Sequence, residues 1–374
     1  MEDRPYRICA KCIMDTTDPD IRFDDHGVCS HCRKYENHLQ SRAYRLRREP
    51  GALERLVTEI QERGKGRKYD CIIGVSGGVD STYTAYITKK IGLRPLAVHL
   101  DNGWDSELAV GNIKKTLKVL DIDLTTHVLD WEEFRDLQLS FLKASTPDSE
   151  IPTDHAIHTV LYQAAVREKT PYVLIGRNTA TEGGGVPAWS QGHADWKYIK
   201  NIQKRFGSRR LETFPHYGLF HLLYYRVFKK IQMIPILDYV DYDKKQALGI
   251  LENELGWKHY GAKHYESVYT RFFQGYILPK KFGFEKKRLH LSSLIWSGQM
   301  TRQEAFQEME KEDYPPALRE QEREYVIKKF QLTPEEFDGL MALAPKSFWD
   351  YPSSKRIIHR YRWLLSIYRR LQSP

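Results

Sequence analysis

Between residues 69 and 176, short apolar runs alternate with amphipathic stretches. Residues 69–75, 94–100, 124–129 and 172–176 are strand-length apolar runs, while 81–91 and 108–120 carry helical periodicity. Strands this short, separated by helices, need crossover connections, and those give a parallel sheet covered on both faces. The pattern therefore predicts a doubly wound α/β sheet. It is preceded by an amphipathic helix over 53–61 and resumed by a strand over 231–240. Between them, residues 183–230 break the pattern with Trp189, Trp196, Tyr198, Phe206, Arg209 and Arg210. That stretch is too long for a simple connection and reads as a lid or substrate-facing insertion. From Asp243 onward only helical signals appear, among them Thr301 with Glu304 and Thr333 with Pro334 and Glu336 at capping-box spacing. The expected division is 1–50, 51–242 and 243–374.

Composition narrows the picture. With 374 residues, 41% hydrophobic and 29% charged, the chain can bury a real core and is neither disordered nor disulfide-stapled. No run reaches the length of a membrane span, and 1–7 is charged without an apolar signal core, so a cytoplasmic protein is expected. The formal net charge of +9 favours an anionic partner without naming it. Four of the five cysteines, Cys9, Cys12, Cys29 and Cys32, form a C-x2-C-x16-C-x2-C array, the spacing of a tetrahedral zinc site. A metal that uses all four thiolates has no open position, so the zinc is expected to be structural. Cys71, in the apolar run after Asp70, reads as a buried strand residue.

The chemistry begins where the first strand ends. Ser76-Gly77-Gly78-Val79-Asp80-Ser81 leads directly into a helix. Two glycines let backbone approach a charged group, and the helix start offers N–H donors and a positive dipole end. Ser76 and Ser81 add hydroxyls. Asp80 would repel a phosphate unless a divalent cation bridges them, which implies Mg²⁺. No lysine follows the glycines, so this is not a Walker A loop and γ-phosphoryl transfer is not expected. Gly176, Arg177 and Asn178 end the fourth run, at the carboxyl edge where open α/β sheets bind ligands.

The hexapeptide resembles the PP-loop of the N-type ATP pyrophosphatases, with their adenine-nucleotide alpha-hydrolase fold. The resemblance implies that ATP is cleaved to AMP and pyrophosphate as a substrate oxygen takes the adenylate, and that a nucleophile then displaces AMP. It also implies nucleoside contacts at the end of the second strand, at Val98, His99 and Asp101. A narrower resemblance rests on residues 9–21, on Gly27-Val28-Cys29 with Cys32, on Gly261-Ala262-Lys263-His264-Tyr265-Glu266-Ser267, and on residues 288–295. These are similar to the N-acetyl sugar amidotransferases of O-antigen and other surface-polysaccharide biosynthesis. That family implies replacement of an amide oxygen by nitrogen on a UDP-linked sugar, converting acetamido to acetamidino. The residues leave carboxamide formation on a uronate equally open.

The helical motif carries its own reading. Tyr265, Tyr269, Phe272 and Tyr276 would form the packed stripe. Glu266, Thr270 and Gln274 fall at i, i+4 and i+8 on another face, beside His264, Ser267 and Arg271, and that face reads as substrate-facing. Lys263 and Glu266 join Asp80 and Ser81 as candidate catalytic groups. Lys281, Arg288 and His290, together with Lys280 and Lys287, are candidates for a pyrophosphate or uronate, and Glu182 for a base or ligand.

An ammonia-making glutaminase needs a cysteine nucleophile, and with four thiols given to zinc and Cys71 in a strand none is left. The family resemblance agrees, implying a separate glutaminase and a barrel-type ammonia-delivering partner. Two other readings stand beside the amidotransferase. A tRNA-thiolating enzyme would use the basic, aromatic segment 197–210 as an RNA surface, but lacks a spare persulfide cysteine. A non-catalytic nucleotide-binding protein would not need the intact loop. Ile357, Tyr361, Leu364, Tyr368 and Leu371 form an apolar stripe, read as domain packing, on a basic C-terminal helix.

Overall fold

A computed structural model describes residues 5–261 and 265–355. Its centre is a five-stranded parallel sheet made of β1 (Cys71–Gly74), β2 (Pro95–Asp101), β3 (Asp123–Val128), β4 (Tyr172–Ile175) and β5 (Gln232–Pro235), in the order β3-β2-β1-β4-β5. In β1, Ile72 pairs with Leu96 of β2 and Val173 of β4. The inner strands show no polar alternation because helices cover both faces. Cys71 and Ile73 point to one side, into a core with Ile60, Ile113, Leu117 and Leu174. Ile72 points to the other, where it meets Val160, Leu161 and Val173. Cys71 is fully buried within β1, as its apolar surroundings predict. β3 lies at the edge, and most of its residues face solvent.

The strand order reverses between β1 and β4. The crevice beyond their carboxyl ends is the place where doubly wound sheets bind ligands, and the Ser76–Ser81 loop sits there.

One expectation changes. The run 231–240 is a strand only to Pro235, after which Ile236–Tyr239 tightens into a 3-10 turn. Within that turn Asp238 accepts the Thr179 N–H at 2.7 Å and pairs with Arg47 at 3.1 Å, so the turn ties the sheet edge to the N-terminal region. The stretch 183–230, read as a lid or substrate-facing insertion, is anchored in the core and also lines a cavity with Ser190, His193 and Tyr217. Its helix Trp196–Phe206 buries Tyr198, Ile199 and Ile202 in the largest core, against the helix Trp131–Ala144. Asp136 on that helix accepts the N–H groups of Ser208 and Arg209, each at 2.9 Å, and Glu133 does the same for residues 212–214. Burial opposes ionisation of Asp136, but these donors outweigh it and hold its carboxyl below the usual range. The segment just past this helix is thereby tied to Asp136, while Lys197, Lys200, Lys204, Arg205, Arg209 and Arg210 stay exposed.

The regular elements described after Asp243 are helices, and both predicted capping boxes form, at Thr301 with Glu304 and at Thr333 with Glu336. The apolar stripe expected beyond Ile357 lies outside the described residues.

The N-terminal cysteines form a single buried cluster. Their sulfurs stand within 4.8 Å of one another, with Sγ–Sγ separations of 3.7 and 3.8 Å along three edges. A tetrahedron with metal–sulfur bonds of about 2.3 Å has edges of about 3.8 Å, so the donor set fits zinc. N–H groups of Lys11, Cys12 and Cys29 point at the Cys9 sulfur from 3.2 to 3.4 Å, and the Trp296 indole N–H points at Cys32 from 3.2 Å. The cluster is clamped from the C-terminal helices. Arg302 donates to the carbonyls of Cys12 and Cys9, and Arg288 to that of Ile13 while pairing with Asp15 at 3.0 Å.

A metal that organises the knuckles and the surface they present to Arg288, Trp296 and Arg302 should be essential to stability. Cys12→Ser should abolish zinc retention in elemental analysis and cost about 4 kcal/mol or more in chemical denaturation. A variant that keeps stoichiometric zinc and wild-type melting would contradict this.

Candidate active site

The turn after β1 is built from Ser76 to Ser81. Gly77 adopts φ +80°, and a Cβ there would sit 2.7 Å from the Ala109 carbonyl oxygen, so only glycine fits. Inside the turn the Ser76 and Ser81 hydroxyls meet at 3.1 Å, Ser81 donates to the Gly78 carbonyl, and the Gly78 N–H reaches Ser76 Oγ at 3.3 Å. The helix Val79–Lys90 starts here with Gly78 as its N-cap. Two residues from far along the chain brace it. The Trp257 indole donates to the Gly77 carbonyl at 3.0 Å, and the Tyr260 hydroxyl accepts the Val79 N–H at 3.2 Å.

Asp80, in the first helical turn, is held in a fixed orientation. Thr181 donates to its Oδ2 at 3.0 Å and the Tyr242 hydroxyl to its Oδ1. Burial and then the Asp80 charge push the Tyr242 phenol far above its ordinary value, so it stays a donor. Thr181 is itself set by Asn178, whose Oδ1 accepts the Thr181 N–H at 2.8 Å while its amide donates to the Gly176 carbonyl. Asn178 thus positions Thr181 and does not itself line the cavity. Gly176 allows β4 to come close, since a Cβ there would lie 2.9 Å from the Asp80 carbonyl carbon and the Ser81 nitrogen.

The loop opens into a cavity of about 900 Å³. Val98, His99, Gly176, Arg177 and Glu182 line it, together with Ser76, Gly78, Asp80 and Ser81. His99 is buried, with Nδ1 donating to the Val75 carbonyl and Nε2 to Asp105, both at 2.9 Å. Burial disfavours its charged form, yet the Asp105 carboxylate and the Val75 carbonyl outweigh that and raise its pKa. Asp101 accepts the Gly103 N–H at 2.8 Å and shapes the turn after β2 instead of lining the cavity.

The opposite wall comes from the C-terminal region. Ser106 N–H donates to the Glu266 carbonyl and Val268 N–H to the Trp104 carbonyl, both at 2.9 Å, and Asp105 bridges Ser267. This short pairing hangs Glu266 over the loop, where a Cβ on Gly78 would be 3.0 Å from Glu266 Oε1. Ser267 caps the following helix by accepting the Thr270 N–H, and Glu266, Ser267, Thr270 and Gln274 all line the cavity. Tyr269 and Phe272, on the apolar stripe, are fully buried.

Deeper in, the cavity has a polar end that sequence reading did not anticipate. It holds Glu150, Asp154 and His158 at the start of the helix Ile151–Arg167, Ser190 and His193 from the 183–230 stretch, and Lys286, with Asp148 buried behind them. His193 Nε2 lies 3.3 Å from Asp154 and 3.5 Å from Asp148, and Lys286 Nζ 3.8 Å from Asp148. Burial alone would raise the Asp148 pKa, but Lys286, His193 and Ser190 hold it well below the carboxylate range. Glu150 goes the other way, pushed up to about 7 by burial against the pull of Lys286 and with the push of Asp148. These groups come from three separate chain segments and share no motif.

Four residues expected to meet substrate lie elsewhere. Arg271 forms a buried ion pair with Glu322, and Lys281 donates to the Leu340 carbonyl. Arg288 holds the cysteine module, and His290, on the same helix, does not line the cavity. Each is on a helix face that packs inward against another part of the chain. Lys263 and His264 fall outside the described residues.

Residues 266–365 match the family described as LPS biosynthesis protein WbpG-like, C-terminal domain. Over 93 residues the chain is 40% identical to the glutamine-hydrolyzing GMP synthase of Pyrobaculum aerophilum, covering 24% of this chain but only 18% of that relative. Among solved structures, the predicted subunit of tRNA methyltransferase from Methanocaldococcus jannaschii is 18% identical, over 49% of this chain and 73% of that one, at a TM-score of 0.28. The NMN synthetase of Francisella tularensis is 15% identical, over 55% of this chain and 92% of that one, at 0.29. The Ser-Gly-Gly-Val-Asp-Ser loop at the end of β1 thus faces a wall, from residue 266 onward, that is similar to the C-terminal domain of the WbpG-like proteins.

Proposed function

We propose that the chain is an ATP-dependent amidotransferase. It adenylates the oxygen of an acetamido group, or of a uronate carboxyl, on a UDP-linked sugar and replaces that oxygen by nitrogen from ammonia. The observation that carries this reading is the sharing of one cavity by the Ser76–Ser81 loop and the WbpG-like wall of Glu266, Ser267, Thr270 and Gln274. An amide or carboxylate oxygen is a poor leaving group and AMP a good one. A site that activates oxygen with ATP must therefore hold nucleotide and acceptor together.

In this reading the glycine turn and the start of the helix Val79–Lys90 cradle the phosphates, and Ser76 and Ser81 donate to them. Asp80 and Glu266 would place two carboxylates beside a polyanion, and Mg²⁺ held by Asp80 would supply the compensating charge. Thr181 and Tyr242 keep the Asp80 carboxylate aimed. Arg177 stands at the mouth of β4 for the nucleotide, and the polar end of the cavity receives the sugar. The four cysteines and the buried Cys71 leave no thiol for glutamine hydrolysis, so ammonia would come from a separate glutaminase, with a barrel-type partner delivering it. No described helix is long and apolar enough to cross a membrane.

Pyrophosphate release from MgATP with ammonium chloride should depend on a UDP-linked diacetamido-uronic acid and not on bulk tRNA. The product mass should fall by about one unit as oxygen gives way to nitrogen. Release with tRNA alone would move the chain to the RNA-modifying enzymes. Asp80→Asn should lower pyrophosphate release by about 10² or more with an unchanged circular dichroism spectrum, and retained turnover would remove Asp80 from the phosphate site. Glutamine should serve as nitrogen source only after a glutaminase is added, and its use by the isolated chain would overturn the missing-nucleophile reading.

A further inference from the structure

Glu150 stands apart from its two carboxylate neighbours at the polar end of the cavity. Asp148 is committed to Ser190, His193 and Lys286, and Asp154 to His193. The Glu150 side chain makes one hydrogen bond among the described residues, accepted by Oε1 from the Thr270 hydroxyl. Glu150 lines the cavity that the Ser76–Ser81 loop also lines. Thr270 is one helical turn from Glu266, which hangs over Gly78. A single rigid segment, paired to residues 104–106, therefore sets Glu150 and the loop in register across the same space.

We infer that Glu150 is the proton acceptor for the incoming nitrogen, the group that converts ammonium to ammonia beside the adenylated substrate. This rests on the amidotransferase reading. Ammonium gives one proton to the Glu150 carboxylate, and the freed lone pair forms the C–N bond at the carbon that carries the adenylate. The C–O bond to the adenylate breaks, and AMP leaves with its electron pair. On a neutral imidate intermediate, the three hydrogens brought by ammonia end as two on the new nitrogen and one on the original. The product is then an amidinium, and charge and atoms balance.

The surroundings suit the role. Asp148, Asp154, His158, His193 and Lys286 face Glu150 from the elements packed around it. Burial first, and then Asp148 and Asp154, raise its pKa to about 7 against the pull of Lys286 and of the Thr270 hydroxyl. A carboxylate with such a value accepts a proton more readily than an exposed one and still releases it to water near neutral pH. Because Glu150 must be ionised to accept, the amination rate should rise with pH through about 7.

The test separates the two half-reactions in the full-length chain. Substrate-dependent exchange of labelled pyrophosphate into ATP reads adenylation alone, and product formation from ammonium chloride reads amination. In Glu150→Gln, exchange should remain within about threefold of wild type, while amination falls by about 10² and its rise through neutral pH disappears. Hydroxylamine, a nucleophile already neutral at pH 7, should restore product in the variant. Thr270→Val, which keeps the carboxylate but removes the hydroxyl that donates to it, should shift the pH midpoint of amination. Amination by Glu150→Gln at the wild-type rate and pH profile would overturn the assignment, as would parallel loss of exchange and amination without hydroxylamine rescue. Absence of exchange in the wild-type chain with every UDP-acetamido sugar would instead defeat the amidotransferase reading itself.

Discussion

Everything at the active centre depends on two backbone hydrogen bonds, Ser106 to Glu266 and Trp104 to Val268. They join the turn that follows β2 to the start of the C-terminal helical region. Without them, the phosphate-type loop would face open solvent and the polar end of the cavity would lose a wall. The joint is stiffened from behind. Trp104 is buried against Tyr269 and Phe330, with ring centroids at 5.0 and 5.4 Å, and its indole N–H is paired with Gln138. Moving Glu266 relative to the loop would therefore mean repacking the largest core, which close-packed interiors resist.

A second constraint is how the loop is braced. Short glycine-rich turns have few internal contacts, and here the rigidity is imported. Trp257, Tyr260, Tyr242 and Thr181 each bond to a backbone group or carboxylate of residues 77–80. Two of these are phenols whose burial keeps them protonated across any ordinary pH. Catalytic geometry of this kind depends on supporting residues as much as on those that touch a ligand.

The parts of the fold legible in the sequence were those written locally. Short apolar runs separated by helical periods gave four of the five strands to within a few residues, and paired glycines before a helix marked the turn after β1. Cysteine spacing marked the metal cluster, because knuckle geometry is local. Partners more than a hundred residues apart were not legible. Tyr242 and Tyr260 lie 162 and 181 residues from the groups they hold, and nothing in their neighbourhoods distinguishes them from other tyrosines. The same limit explains the cationic residues. Arg271 and Arg288 have the right charge for a phosphate or uronate, but charge does not say which way a helix face turns, and both are spent on internal acids. The stretch 183–230 looked irregular for a physical reason. Its order comes from buried carboxylates that collect loop amides, and such contacts leave no periodic trace.

The clamp on the cysteine module has a consequence for how the protein is made. Its partners Trp296, Arg288 and Arg302 lie 264 to 293 residues downstream of the groups they hold. During synthesis the four thiols emerge well before the helices that cover them. At about 5–20 residues per second that leaves a wait of roughly 15 to 60 seconds. Throughout that interval the cysteines must be kept from oxidation and from foreign metals by the ion they bind themselves. Early zinc capture would thus act as a placeholder for a surface that does not yet exist. Final closure joins segments 264 to 293 residues apart, the kind of high-contact-order step that makes folding slow.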